Sequence, residues 1–221
     1  MARAPRITPA GVVFHVLNRA TQGLVLFSEQ DDYLEFYRLL LAAGRRFPVR
    51  VCAYCLMPTH WHLVLWPLKD GAISAYIHWV ATQHSLQFRL RTDTVGRGHV
   101  YQDRFHCFAV QTGRYYLNLM KYVEANAHDA DLVERAEDWP WSSVTERVRG
   151  RELITDGPLP LRGDWVDWIN RPTPAREMAT LTCSERSSRP YGASSWVARM
   201  AVRQSLEQSL HVRGRRRSPR K

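Results

Sequence analysis

The chain has 221 residues, of which 45% are hydrophobic and 11% aromatic, and it carries a formal net charge of +10. This length and composition predict one well-packed domain with appendages and exclude a wholly disordered chain. No apolar run approaches the roughly 20 residues of a membrane-spanning helix, and the first six residues lack the apolar stretch of a signal peptide, so we expect a cytoplasmic protein without a membrane partner.

The positive charge is concentrated at the C-terminal end of the chain. Residues 186–221 contain ten Lys and Arg and a single acid, which leaves a net charge of only +1 for the preceding 185 residues. Such runs usually bind a polyanion, most often nucleic acid, and the alternative is a solvated tail. The candidate DNA contacts in this run are Arg213, Arg215, Arg216 and Arg217.

The four cysteines fit a reducing compartment. Cys52 and Cys55 form a C-x-x-C pattern in a strand-like run, where a spacing of three places the two sulfurs on opposite faces. Because no second C-x-x-C completes a four-cysteine zinc set, we interpret both as packing residues.

Hydrophobic periodicity predicts the element order β-α-β-β-α-β, followed by a further helix. The predicted strands are 11–18, 49–56, 60–66 and 99–110, and the predicted helices are 28–46, 72–90 and 113–126, with Ser28 and Thr112 as N-caps. This order is that of the ferredoxin-like, split βαβ fold. We therefore expect an α+β domain whose four-stranded antiparallel sheet carries two helices on one face and the third helix near the other.

The hydrophobic periodicity that predicts strands and helices weakens beyond residue 126. Residues 139–143 predict an ordered turn, and residues 151–174 form a Pro-, Gly- and Asp-rich stretch with Trp165 and Trp168 as anchors. A short amphipathic helix is predicted at 194–210. The expected organisation is a core domain at 1–145, an irregular extension at 146–185 and a basic arm with a short helix at 186–221.

Two histidines, His60 and His62, stand two residues apart in the third predicted strand. Residues at this spacing share one face of a strand, so Trp61 and Leu63 should occupy the other face. Two imidazoles on a rigid strand make half of a metal site, although paired histidines are often only a polar face. The remaining histidines, including His15, lack such spacing and are interpreted as structural.

Tyr122 and Asn126 lie four residues apart and so share one face of the third predicted helix. If that face looks at the sheet, Asn126 could join the two histidines as a metal ligand, and Tyr122 could attack a phosphodiester. Spacing alone favours a core tyrosine and a capping asparagine instead. Lys121 and Glu124 flank the tyrosine and are interpreted as solvated charges.

Three segments resemble motifs of the single-strand tyrosine transposases. Residues 57–62 (MPTHWH) resemble their histidine–hydrophobic–histidine (HUH) motif, residues 122–126 (YVEAN) their catalytic helix, and residues 101–105 (YQDRF) the strand segment before it. In this order and at these separations, the motifs are most similar to those of the bacterial REP-associated tyrosine transposases. The resemblance covers about residues 4–143, and a weaker resemblance is found at residues 189–192.

The resemblance implies an enzyme that cuts and rejoins single-stranded DNA beside hairpin-forming repeats. Tyr122 would form a 5′-phosphotyrosine, and His60, His62 and Asn126 would hold Mg²⁺ or Mn²⁺. Two imidazoles by themselves favour zinc, but a labile hard metal suits phosphate chemistry. Gln102 and Arg104 are further candidate DNA contacts, Arg104 through a phosphate. Such an enzyme would work at the bacterial nucleoid, as a monomer or a homodimer.

The chain departs from these relatives directly after Asn126. They commonly continue with Pro and a basic residue, whereas this chain has Ala127, His128 and Asp129. Asp129 and Asp131 therefore replace positive charge where DNA contacts are expected. Two alternatives stay open: a module that binds hairpin DNA without cleaving it, and a zinc-binding regulatory domain built on His60, His62 and a cysteine.

Overall fold

The computed structural model describes residues 6–150 and 152–206. Four strands form one sheet with the order β2-β3-β1-β4, in which all neighbours are antiparallel. The strands are β1 (Val13–Arg19), β2 (Val49–Met57), β3 (His60–Pro67) and β4 (His106–Val110). The helices are α1 (Gln30–Arg46), α2 (Ala72–Arg91), α3 (Arg114–Glu124), α4 (Asn126–Asp129), α5 (Ser143–Arg149), α6 (Trp165–Ile169), α7 (Ala175–Ser187) and α8 (Ser194–Arg203), with a 3-10 turn at Ala136–Asp138. The predicted α+β, ferredoxin-like arrangement is confirmed.

The alternation of residues along β3 decides what each face of the sheet covers. Trp61, Leu63 and Leu65 are buried in the cluster that contains the apolar residues of α1 and α2. Val64 belongs to the cluster beneath α3. His62 is two residues from Val64, and residues at this spacing in a strand share one face of the sheet. His62 therefore lies on the face that α3 covers. None of the helices in the described part of the chain has the length and hydropathy needed to cross a membrane.

The prediction that Cys52 and Cys55 face opposite sides of the sheet is wrong. Both belong to the cluster beneath α3. A register shift between Val51 and Ala53 marks a bulge in β2, and a bulge adds one residue to the strand, which reverses the facing of the residues on one side of it. Both cysteines are fully buried packing residues, as expected.

Several predicted ends differ from the observed ones. The N-cap of α1 is Glu29 and not Ser28, because the Asp32 carboxylate accepts from the backbone amides of both residues and the helix starts after them. The N-cap of α3 is Gly113 and not Thr112, and its φ of +103° is one that glycine adopts easily. The last strand begins only at His106, since residues 102–105 bend away and Tyr101 makes an isolated bridge to Ala20.

The extension expected to be irregular contains α6 and α7. Trp165 and Ile169 of α6 and Leu181 of α7 are buried in the cluster beneath α3, so this segment shares the core of the sheet. Trp165 is the deeper of the two predicted anchors, and Trp168 is half-buried. Among the described residues the last helix is α8, which ends at Arg203, and the predicted continuation beyond residue 206 lies outside them.

Lys121 and Glu124, interpreted as solvated, are both buried. The Glu124 carboxylate accepts hydrogen bonds from Ser143 Oγ at 2.5 Å and Trp165 Nε1 at 2.6 Å, and it pairs with Arg147 Nε at 2.7 Å. Lys121 donates from Nζ to the Arg171 carbonyl. These bonds tie α3 to α5, α6 and the loop after α6, and so fix the helix that carries Tyr122.

Candidate active site

His60 and His62 project together from β3 towards α3, as their spacing predicts. Their ring centroids are 5.0 Å apart. His62 is 1% exposed, whereas His60 is only half-buried. His60 lies at the end of the hairpin, opposite Arg19 of β1. The pair is therefore closed on the His62 side and open to a ligand on the His60 side.

A third imidazole, His15 of β1, completes this face of the sheet. His15 Nε2 is 2.9 Å from His62 Nδ1, and the two rings stack with centroids 5.1 Å apart. Sequence spacing could not indicate this position, because β1 contains no His-x-His pattern. The strand pairing explains the position of His15. β1 and β3 are adjacent central strands, and His15 is paired in register with Val64.

Tyr122 lies over the histidines, on the helix that covers them. Its ring centroid is 5.7 Å from that of His62 and 6.2 Å from that of His15, and it meets the His62 ring edge-on at 89°. The Asn126 side chain lies close enough to both Tyr122 and His60 to influence the pKa of each side chain. Asn126 begins α4, but Ala125 between the two helices keeps a right-handed helical conformation, which preserves the one-turn spacing. The four residues predicted to form the site thus lie together.

An unexpected acid, Glu185 of α7, also reaches the site. The Tyr122 hydroxyl donates to Glu185 Oε2 at 3.0 Å. Nitrogen or oxygen atoms of Glu185, His15 and His62 lie within 4.8 Å of one another. No pattern could have linked Glu185 to the motifs, because it is 63 residues from Tyr122 in a segment expected to be irregular.

Burial determines the electrostatics of this cluster. Burial, with the nearby His106, lowers the pKa of His15 to about 3. Burial and the charge of Arg19 lower the pKa of His60 to about 4, and burial with the neighbouring imidazoles takes the pKa of His62 well below its ordinary value. All three rings are therefore neutral at pH 7, which is the form that binds metals.

The pKa values of the two oxygen-bearing groups, Tyr122 and Glu185, shift upwards. Burial, followed by the charge of Glu185, raises the pKa of Tyr122 well above its ordinary value. Burial also raises the pKa of the Glu185 carboxyl, although the Tyr122 hydroxyl and Arg19 oppose the shift. In the metal-free protein the tyrosine is thus a phenol, and a phenolate requires a nearby cation.

The donor atoms of the site fit a divalent metal ion. Nδ1 of His60 lies 3.2 Å from Thr59 Oγ1, and Nδ1 of His62 is bonded to His15. These outward bonds leave the other ring nitrogen of each histidine for a metal, in the arrangement that orients metal-binding histidines in proteins. Asn126 adds an amide oxygen beside His60. In the described residues, the metal-compatible cluster contains an acid and no cysteine, which disfavours the zinc domain.

The candidate DNA contacts divide between two concave surfaces. A cavity of about 180 Å³ adjoins Glu185 and is lined by Gln102, Arg19 and Arg186 among others. Arg104 lies instead along a groove of about 590 Å³ between α2 and the loop before β4, which Gln102 also borders. The structure therefore places Gln102 at the cavity that adjoins Glu185, whereas Arg104 lines only the second groove. Arg213, Arg215, Arg216 and Arg217 lie outside the described residues.

Comparison with known proteins gives the family. The family model described as "Transposase IS200 like" matches residues 12–126, just over half of the chain. The chain therefore belongs to the IS200-like transposase family, whose members cut and join DNA, and the family resemblance drawn from the motifs is confirmed. The matched segment ends at Asn126, so α5 to α8 lie beyond it.

A solved structure shows the same fold. The structure of a REP-associated tyrosine transposase bound to a REP hairpin superposes with a TM-score of 0.54, at 20% sequence identity, over 74% of this chain and 96% of the other. No curated protein sequence matches the chain.

Proposed function

We propose that this chain is a metal-dependent enzyme that nicks and rejoins single-stranded DNA beside hairpin-forming repeats, through a 5′-phosphotyrosine intermediate. The observation that carries the proposal is the position of Tyr122, 5.7 Å from His62 between ring centroids. Asn126 supports it by lying close to both the tyrosine and His60. A hydroxyl nucleophile therefore stands beside a donor set for a cation, which is the arrangement that phosphoryl transfer requires.

In the proposed reaction the Tyr122 oxygen forms a bond to phosphorus and the bond from phosphorus to the 3′-oxygen breaks. The phenolic proton passes to water, and the departing 3′-oxygen takes up a proton from water to become a hydroxyl. Rejoining reverses these steps, with a 3′-hydroxyl as the nucleophile. His60, His62 and Asn126 would hold Mg²⁺ or Mn²⁺, which when bound polarises the phosphodiester and favours the phenolate.

The chain's own charges support a nucleic-acid substrate. Arg19 and Arg186 line the cavity that adjoins Glu185, the hydrogen-bond partner of Tyr122, and they would hold a backbone phosphate of the single strand near the reacting group. The basic residues at 213–217 would add affinity that does not depend on sequence. The related transposase of known structure is bound to a REP hairpin, and we propose a DNA hairpin as the ligand of this chain also. Its place of action would be the nucleoid.

A covalent-adduct assay tests this proposal. The full chain is incubated with a labelled hairpin oligonucleotide carrying a single-stranded flank, with Mn²⁺ or Mg²⁺, and is resolved on a denaturing gel. We expect an adduct with the wild type and none with Tyr122→Phe, while hairpin affinity changes by about twofold or less, because only the nucleophilic oxygen is lost.

Tyr115→Phe is the matched control. Tyr115 lies on the same helix, but its ring packs edge-on against Tyr191, away from the histidines, so this variant should still form the adduct. Hairpin binding by the wild type without any adduct would favour the non-cleaving module. Retention of zinc through purification would favour the zinc-binding domain.

A further inference from the structure

Glu185 enters the site from outside residues 12–126, the segment that the family model matches. Its helix, α7, packs against β4 and buries Leu181 and Ser184. This packing directs the carboxylate to the Tyr122 hydroxyl at 3.0 Å. The position of Glu185 is therefore fixed by the packing of a whole helix.

The distances around Glu185 are those of a metal site. Its carboxylate and the ring nitrogens of His62 and His15 fall within 4.8 Å of one another, and no other group of three such side chains does so in residues 6–150 and 152–206. Two atoms that bind the same ion at about 2.1 Å lie at most about 4.2 Å apart, so a small side-chain rotation is sufficient. The contact of 2.9 Å between the two rings uses the outer nitrogen of His15, Nε2, but Nδ1 of His62, so His62 keeps its outer nitrogen for a metal and His15 does not. His15 is therefore an orienting neighbour, and Glu185 is left as the ligand.

The charge of the site leads to the same assignment. His60, His62 and Asn126 are all neutral ligands, and a divalent ion is costly to bury without an opposing charge. Glu185 is the acid of the metal-compatible cluster in the described residues, and its half-buried carboxylate lines the adjoining cavity together with the cations Arg19 and Arg186 and the acid Asp103. A carboxylate oxygen also shifts the preference of an imidazole site from zinc towards Mn²⁺ and Mg²⁺.

We infer that Glu185 is an anionic oxygen ligand of the metal site, contributed by the C-terminal extension of this chain. The inference rests on the proposed function, because it concerns the same site. It differs from the ligand set that the family resemblance implies, which contains no acid. The carboxylate accepts the hydrogen bond of the Tyr122 hydroxyl and would turn from it to serve as a ligand.

Metal affinity measured without DNA tests the inference. The full-length wild type, Glu185→Gln and the control Glu177→Gln are titrated with Mn²⁺, followed by calorimetry and by the paramagnetic resonance of free Mn²⁺. Glu177 lies on the same helix and accepts a hydrogen bond from Asn118 at 3.1 Å, away from the histidines. We expect Glu185→Gln to weaken Mn²⁺ binding at least tenfold and Zn²⁺ binding less, and Glu177→Gln to stay within about twofold of wild type for both.

A second variant separates a ligand from a hydrogen-bond partner. Tyr122→Phe removes the hydroxyl that holds Glu185 and leaves the carboxylate in place, so its Mn²⁺ affinity should equal or exceed that of the wild type. If Glu185→Gln keeps a wild-type circular-dichroism spectrum and binds Mn²⁺ as tightly as the wild type, the inference is overturned. A loss of Mn²⁺ affinity in Tyr122→Phe as large as that in Glu185→Gln would also overturn it.

The two proposals fail in different ways. A wild type that binds Mn²⁺ through Glu185 but forms no DNA adduct would refute the nicking reaction and leave the ligand assignment standing. A wild type that forms the adduct, together with a Glu185→Gln variant that binds Mn²⁺ normally, would refute the ligand assignment and leave the nicking reaction standing.

Discussion

The ion pair between Glu124 and Arg147 fixes the helix that carries Tyr122, and its removal gives a defined loss of stability. The two side chains are 0% and 9% exposed, with a distance of 2.7 Å between Arg147 Nε and Glu124 Oε1. Arg147 also donates to the Cys52 carbonyl. Arg147→Met therefore leaves a buried carboxylate with only the Ser143 hydroxyl and the Trp165 indole as donors.

Breaking a buried pair by removing one partner costs about 3–5 kcal/mol, because the remaining charge stays buried without compensation. Urea denaturation measures this cost. For a slope of about 2–3 kcal/mol per molar urea, the midpoint should fall by more than about 1 M. Glu124→Gln combined with Arg147→Met should recover part of the loss, since the amide oxygen can still accept from the two remaining donors and no charge is left buried.

Arg162→Met provides the comparison. Arg162 pairs with Asp164 at a similar distance of 2.8 Å, but the two side chains are 46% and 40% exposed. Exposed pairs contribute only about 0–1 kcal/mol. A cost for Arg147→Met below about 1 kcal/mol, or equal to that of Arg162→Met, would refute the view that burial makes the Glu124 pair structural.

Three further predictions concern other parts of the chain. Burial, with the charge of Arg91, lowers the pKa of His84 to about 3 from 6.5, so the unfolded state takes up the proton first as the pH falls. Stability present at pH 7 is thus lost below about 6.5, and His84→Gln should lose about 2 kcal/mol less than wild type between pH 7 and 5 in urea titrations at each pH; equal losses would contradict this. Gly157→Ala should cost about 1–3 kcal/mol in thermal unfolding, since the added methyl group would overlap the Tyr116 ring, and an unchanged melting temperature would show that the loop yields. Deletion of residues 213–221, with their six Lys and Arg, should lower the salt slope of DNA binding by up to about 4, and an unchanged slope would show that the arm does not contact phosphate.

Much of the candidate site could be predicted because it depends on short-range periodicity. His60 and His62 share a face because a strand repeats every two residues, and Tyr122 and Asn126 approach each other because a helix repeats about every four. These relations hold wherever the elements lie. The spacing could not show that the strand face with the histidines meets the helix face with Tyr122 and Asn126. The resemblance to known motifs supplied that conclusion.

The errors occurred where a distant residue decides the local outcome. Glu124 is a charged residue on an amphipathic helix, and its burial depends on Arg147, Ser143 and Trp165, which lie 19 to 41 residues away. The facing of Cys52 depends on a bulge in β2, which the apolar run around it does not reveal. α7 was missed because it buries only Leu181 and Ser184, too few residues for a helical pattern.

The amino-acid sequence by itself determined the order of the four strands and the first three helices, the family and the pairing of two histidines with a tyrosine, since each is encoded within a few residues of chain. The tertiary structure alone decided that His15 stacks on one of those histidines, that an acid from a late helix reaches the tyrosine, and that the charges beside it are buried. Those contacts join segments tens of residues apart, and their physical cause is the packing of α3 and α7 against one face of the sheet.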